Sequence, residues 1–215
     1  MQPKRIMLVD DHPLVRQGLS MLIESNPDLE VFTTVGSADE ALRALDHDVP
    51  DLILLDISLP GTSGVDLLKD LRIRYSSLRV LVLSMHEESV YAERVLRAGA
   101  NGYIMKHEPG DKVIAAIRCV LANELYVSPA IARRLLNQFT SNPKKPETGA
   151  ALDMLSDREL QVYTQIGHGM SIQAIAVQLH LGVKTIRTYR VHIIHKLGLC
   201  TIADLVHHAT RWVEA

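Results

Sequence analysis

Three features of the 215-residue sequence predict an α/β domain built on a parallel sheet, followed by an all-helical domain. Short apolar runs alternate with amphipathic stretches five times before about residue 125. Beyond that point strand signals stop and every periodic segment has helical spacing. Between the two lies Ser141-Asn-Pro-Lys-Lys-Pro-Glu-Thr-Gly149, which has two prolines, a glycine and almost nothing apolar, the composition of a linker.

The strands are read from runs too short for helices. Residues 6–9, 52–55 and 80–83 are uniformly apolar, as expected of strands buried on both faces, and 30–35 and 102–105 are weaker runs of the same kind. Amphipathic stretches at 14–23, 38–45, 65–73, 90–98 and 113–121 supply the intervening helices. Strand–helix alternation of this length favours a parallel sheet wrapped by helices, whose ligand site lies beyond the carboxyl ends of the strands. Ser128-Pro129 then opens a further helix through Ile131, Leu135 and Leu136. The expected division is 1–125, a linker helix and flexible linker over 126–151, and a helical domain over 152–215.

Bulk properties narrow the function. A chain that is 47% hydrophobic and 22% charged can bury real cores, and it has no apolar run near the ~20 residues needed to cross a bilayer. The apolar stretch 6–9 is too short for a secretory signal. Cys119 and Cys200 are isolated, which speaks against a disulfide framework or zinc site and for a cytoplasmic location. The net charge of −2 conceals an asymmetry: residues 1–125 carry 13 Lys/Arg against 19 Asp/Glu, whereas 152–215 carry 6 against 5. Four of those six cations fall between Lys184 and Lys196, so any nucleic-acid contact is expected there.

Polar residues follow four of the five strand candidates. Asp10 and Asp11 follow the first, Asp56 the third, Ser84 closes the fourth, and Lys106 follows the fifth. In a parallel sheet these ends open on one rim. Carboxylates gathered there resist ionising together unless a cation sits among them, and oxygen ligands suit Mg²⁺. A carboxylate beside such an ion can attack a phosphoryl group, with the lysine and hydroxyl supplying charge and a hydrogen bond. Taken singly, Asp11 is also placed to cap the first helix, and Lys106 reads equally as a surface lysine.

Leu8-Val-Asp-Asp-His12, Leu54-Leu-Asp-Ile-Ser-Leu-Pro60 and Gly99-Ala-Asn-Gly-Tyr-Ile-Met-Lys106 resemble the signature segments of response-regulator receiver domains, over about residues 4–124. The resemblance implies a flavodoxin-like (βα)5 fold with Asp56 as phosphoacceptor. It implies that Asp10, Asp11, Asp56 and the Ser58 backbone carbonyl hold Mg²⁺, that Ser84 contacts the phosphoryl group, and that Lys106 pairs with it. Tyr103 matches an aromatic that moves inward with the hydroxyl residue, with a half-buried strand tyrosine as the lesser alternative. Ser58 and His86 occupy positions that in this family tune dephosphorylation. On its own, His86 reads as a solvated loop histidine.

In the second half, Ser171-Ile-Gln-Ala-Ile-Ala-Val-Gln-Leu-His-Leu-Gly182 precedes Val183-Lys-Thr-Ile-Arg-Thr-Tyr-Arg-Val-His-Ile-Ile-His-Lys-Leu197. These read as two helices, the first capped by Ser171, with Gly182 supplying the turn. Ile172, Ile175, Ala176, Leu179, Ile186, Ile193, Ile194 and Leu197 form the shared apolar faces. Lys184, Thr185, Arg187, Thr188, Arg190, Val191 and Lys196 are left for solvent and DNA. His192 and His195 have a metal-compatible spacing but no evident third ligand, and read better as core or phosphate-facing histidines.

Together with Leu155-Ser-Asp-Arg-Glu-Leu-Gln161 and Lys196-Leu-Gly198, these helices resemble the LuxR/FixJ-type effector domain over about 152–210. A receiver in front indicates the NarL/FixJ subgroup. That resemblance implies four helices, base contacts from Arg187, Thr188 and Val191, and backbone contacts nearer Lys184, Thr185 and Lys196. It also implies a terminal helix (202–212) that dimerises the domain. Ala174 replaces a familiar acidic residue, which is read as a local packing change. The function expected is a non-enzymatic, homodimeric transcription regulator, phosphorylated by a sensor histidine kinase and acting on double-stranded promoter DNA and RNA polymerase. Two alternatives are a Mg²⁺-dependent phosphohydrolase and a phosphorylation-independent binding module. The first lacks a second acid two positions after Asp56 and a cap insert.

Overall fold

The computed structural model describes residues 2–86, 88–140, 152 and 154–214. The chain divides into two compact units, Met1–Asn142 and Pro143–Ala215. The linker stretch 141–149 lies outside the described residues.

In the first unit β1 (Lys4–Val9), β2 (Leu29–Val35), β3 (Leu52–Leu55), β4 (Arg79–Ser84) and β5 (Gly102–Met105) form one sheet. All pairings are parallel and the strand order is β2-β1-β3-β4-β5, the flavodoxin-like arrangement. Helices α1 (Pro13–Glu24), α2 (Ala38–Leu45), α3 (Gly64–Arg74), α4 (Glu88–Arg97) and α5 (Gly110–Leu121) alternate with the strands. Ile6, Leu8, Leu52, Leu54, Leu81 and Leu83 join Ile23 of α1 and Ile114 and Ile117 of α5 in one core. The alternate residues Met7, Val9, Ile53, Leu55, Val80 and Val82 are equally buried, so both faces of the sheet are covered. This is why the central strands read as unbroken apolar runs rather than alternating ones.

Two local expectations change. The capping position of α1 is His12, with Pro13 starting the helix and no side chain capping it, so Asp11 is not the cap. The helix expected within the linker, α6 (Pro129–Thr140), packs on the first unit. The Ser128 amide donates to Glu88 Oε1 at 2.9 Å, Arg134 donates to the Ser89 carbonyl at 3.0 Å, and Ile131 is buried.

The second unit contains α7 (Asp157–Gly167), α8 (Ile172–Gln178), α9 (Val183–Lys196) and α10 (Ile202–Val213) among the described residues. Ser156 and Thr201 each head a capping box, closed by Glu159 and Asp204, and Ser171 caps α8 through the Ala174 amide. Ile175, Ala176, Leu179, Ile186, Ile193, Leu205 and Ala209 are buried. Gly167 lets α7 and α10 approach closely: a β-carbon there would meet the Ala209 carbonyl oxygen at 2.6 Å. The turn between α8 and α9 does not depend on Gly182, whose φ of −70° suits any residue. His180 takes the left-handed conformation instead, with φ of 52°. Ala174 is exposed, so its departure from the family pattern is not a packing change. No helix among the described residues is long and apolar enough to cross a membrane.

Candidate functional site

The strand order reverses between β1 and β3, and such a switch point opens a crevice at the carboxyl ends of the strands. Register carries the polar residues to that crevice. Val9 pairs with Leu55, and the Asp56 amide donates to the Val9 carbonyl at 2.8 Å, so Asp10 and Asp56 leave adjacent strands together. Ser84 pairs with Met105, and the Lys106 amide donates to the Ser84 carbonyl at 2.8 Å, which sets Lys106 beside β4.

The side chains then converge. Lys106 Nζ lies 2.7 Å from Asp56 Oδ2 and 2.5 Å from Asp10 Oδ2, and all three side chains are at least nine-tenths buried. The other Asp56 oxygen accepts the Ser58 amide at 3.0 Å. Burial pushes the Asp56 carboxyl up, Lys106 pulls it down and Asp10 adds to the rise, leaving it above the ordinary carboxylate value. Burial disfavours the Lys106 charge, but Asp56 and Asp10 outweigh it and hold that ammonium above its usual value. Oxygens of Asp10, Asp11 and Asp56 and a ring nitrogen of His12 lie within 4.8 Å of one another. Three carboxylates with one ammonium leave an excess of negative charge, and an all-oxygen acidic set fits a hard divalent cation.

Behind the carboxylates a second group of contacts reaches α4. Ser84 Oγ accepts the His86 amide at 3.0 Å, and the Tyr103 hydroxyl donates to the His86 carbonyl at 2.6 Å. His86 Nε2 lies 2.9 Å from Ser58 Oγ, and its ring stacks on Tyr91 of α4 with centroids 4.5 Å apart. Tyr103 is 1% exposed, so it is an inward-facing residue rather than a half-buried one, and burial pushes its phenol well above the ordinary range despite a hydrogen bond from Ser84. His86 is 7% exposed and therefore not a solvated loop histidine.

In the second unit, Ile186 and Ile193 mark the buried stripe of α9. Lys184, Arg187, Thr188 and Val191 are exposed and spaced three or four apart, so they share the opposite face. Thr185 is exposed on the flank, and Arg190 is half-buried beside the apolar stripe. Lys196 differs from the rest. Its Nζ is 2.6 Å from Oε2 of the buried Glu159 on α7, and His192 Nδ1 is 3.6 Å from Oε1 of the same carboxylate. Burial pushes Glu159 up, but hydrogen bonds from Lys196 and Ser156 hold it below the ordinary value.

The family model of the response regulator receiver domain matches residues 6–118, over half of the chain. This chain belongs to the response regulators. The model of bacterial regulatory proteins of the luxR family matches residues 153–209, which makes it a DNA-binding response regulator of the LuxR type. The oxygen regulatory protein NreC of Staphylococcus aureus is 35% identical over 210 residues, covering 96% of this chain and 97% of that protein. A solved two-component response regulator of the LuxR family from Aurantimonas is 35% identical, with a TM-score of 0.60, covering 65% of this chain and all of the other. RcsB of Salmonella enterica, at 22% identity and a TM-score of 0.63 over 97% of this chain and 99% of that one, is a likeness of fold.

The response regulator's pocket also contains residues that the sequence reading passed over. His12 Nδ1 is 2.7 Å from Asp11 Oδ1, and Arg16 donates to the Asp10 carbonyl. His12 was legible as a ligand-type residue next to two aspartates; Arg16 carried no such mark. In the second unit His195 is exposed on the Lys184–Arg187–Val191 face of α9.

Proposed function

We propose that this response regulator accepts a phosphoryl group on Asp56 and thereby controls binding of its C-terminal helices to promoter DNA. The observation carrying the reading is the convergence of Asp10, Asp56 and Lys106, with Asp11 alongside, at a switch point of the sheet. Asp56 Oδ2 is the attacking atom, and the Ser58 amide on Oδ1 fixes the carboxylate plane. Lys106 supplies positive charge where the phosphoryl oxygens would gather, and Ser84 offers a hydroxyl one strand away. Asp10, Asp11, Asp56 and the Ser58 carbonyl would hold Mg²⁺, which when bound offsets the charge of the incoming phosphoryl group.

The donor is a sensor histidine kinase, and the product is a charge change that Ser84, Tyr103 and His86 pass toward α4. The exposed face of α9, with Lys184, Arg187, Thr188 and Val191, enters the major groove, flanked by Thr185 and Arg190. A homodimer paired through α10, whose Ile202 and Val206 are exposed, reads two half-sites in the cytoplasm and acts on RNA polymerase. RcsB has been solved on promoter DNA with phosphomimetic BeF3⁻. Selection from a random duplex pool, with and without acetyl phosphate and Mg²⁺, tests the reading. The expected result is one enriched two-fold sequence, retained more strongly by the phosphorylated chain; no enrichment in either arm overturns it.

His86 gives a second test. Its ring covers Ser58, two residues from the acceptor, and stacks on Tyr91. His86→Ala opens that cover to water, so the phosphoryl group should be lost several-fold faster in a decay time course. An unchanged decay rate would remove His86 from the mechanism.

A further inference from the structure

We propose that Lys196 does not contact DNA phosphates but acts with Glu159 as a positioning pair that fixes the angle of the reading helix α9. Lys196 Nζ is 2.6 Å from Glu159 Oε2, and that same oxygen accepts the Ser156 amide at 2.7 Å. One carboxylate therefore closes the capping box of α7 and anchors the last turn of α9. Glu159 is buried, so releasing its partner would strand a charge away from water. At about 100° per residue, Lys196 stands about 120° around α9 from Lys184, off the exposed stripe. His192 sits on the same flank, with Nδ1 3.6 Å from the other oxygen of Glu159. At the opposite end of α9 lie Lys184, Arg187 and Thr188. A rigid helix turns small movements at its anchored end into displacement of those residues, and misplacement on the order of 1 Å is costly to recognition.

The inference rests on the reading of α9 as the DNA-contacting helix, and the experiment separates the two. The full chain, phosphorylated with acetyl phosphate, is titrated onto the selected duplex over a range of salt concentrations. Lys196→Gln and Glu159→Gln should each weaken binding roughly tenfold and leave the slope of log K against log salt unchanged, with the double variant no weaker than the weaker single one. Lys184→Gln, on the exposed stripe, should instead make the slope about one unit shallower. Without DNA, amide exchange in the last turn of α9 should rise in both pair variants and not in Lys184→Gln. A slope about one unit shallower in Lys196→Gln, additive losses, or unchanged exchange overturns the positioning role. Absence of binding by the unsubstituted chain overturns the DNA reading alone, because the exchange measurement still judges the pair. If Glu159→Gln does not fold, the slope and exchange of Lys196→Gln decide.

Discussion

Asp56→Asn should abolish phosphoryl incorporation from acetyl phosphate and, in metal-free buffer at neutral pH, yield a chain more stable than the unsubstituted one. The amide keeps an acceptor for the Ser58 N–H, so local geometry survives, but it offers no carboxylate to attack phosphorus. The stability half follows from the direction of the Asp56 shift. Burial, offset in part by Lys106, raises its folded-state pKa above the unfolded value. Such a carboxyl contributes stability fully below its unfolded value and loses it as pH rises through the folded one. At neutral pH the burial of this carboxyl is therefore a cost that asparagine removes. Denaturation over a pH series should show the advantage of the variant growing as pH rises through the raised folded-state value of Asp56, and gone once pH has fallen to the ordinary carboxylate value. Intact-mass detection of phosphate on Asp56→Asn, or a less stable variant at neutral pH, would refute the assignment.

The sheet was readable because its inner strands are buried on both faces, and Leu52–Leu55 and Val80–Leu83 can hardly be anything else. Edge strands gave weaker signals for a physical reason. In β2, Glu30 and Thr34 face solvent, so the apolar run is interrupted, and β5 is only four residues long. The pocket was legible to the extent that position alone decides it: a residue at a strand's carboxyl end must reach the rim. Contacts made across the fold left no local trace. Ser58 and His86 are 28 residues apart, and only the packing of α4 brings the Tyr91 ring under His86. Glu159 and Lys196 are 37 residues apart, and nothing in the sequence near either one announces the other. Helix phase alone was readable there: Lys196 stands off the stripe shared by Lys184, Arg187 and Val191.

Lys106 tests whether the pocket is built around positive charge. It is the ammonium shared by Asp10 and Asp56, and its side chain is 8% exposed. Removing one partner of a buried ion pair leaves the other uncompensated, at a cost of about 3–5 kcal/mol. Lys106→Met keeps most of the stem's apolar volume, so its loss of stability without metal should approach that range and come from the carboxylates. The same excess charge should make the pocket a better cation site. A ligand that binds only the folded state adds about 2.7 kcal/mol when present at a hundredfold over its dissociation constant. Mg²⁺ should therefore raise the unfolding midpoint of Lys106→Met more than that of the unsubstituted chain, recovering part of what the substitution removed. Urea titrations with and without Mg²⁺ measure both quantities. No Mg²⁺ shift in either protein would mean that Asp10, Asp11 and Asp56 do not share an ion, whereas equal shifts would mean that Lys106 does not compete with the ion for their charge.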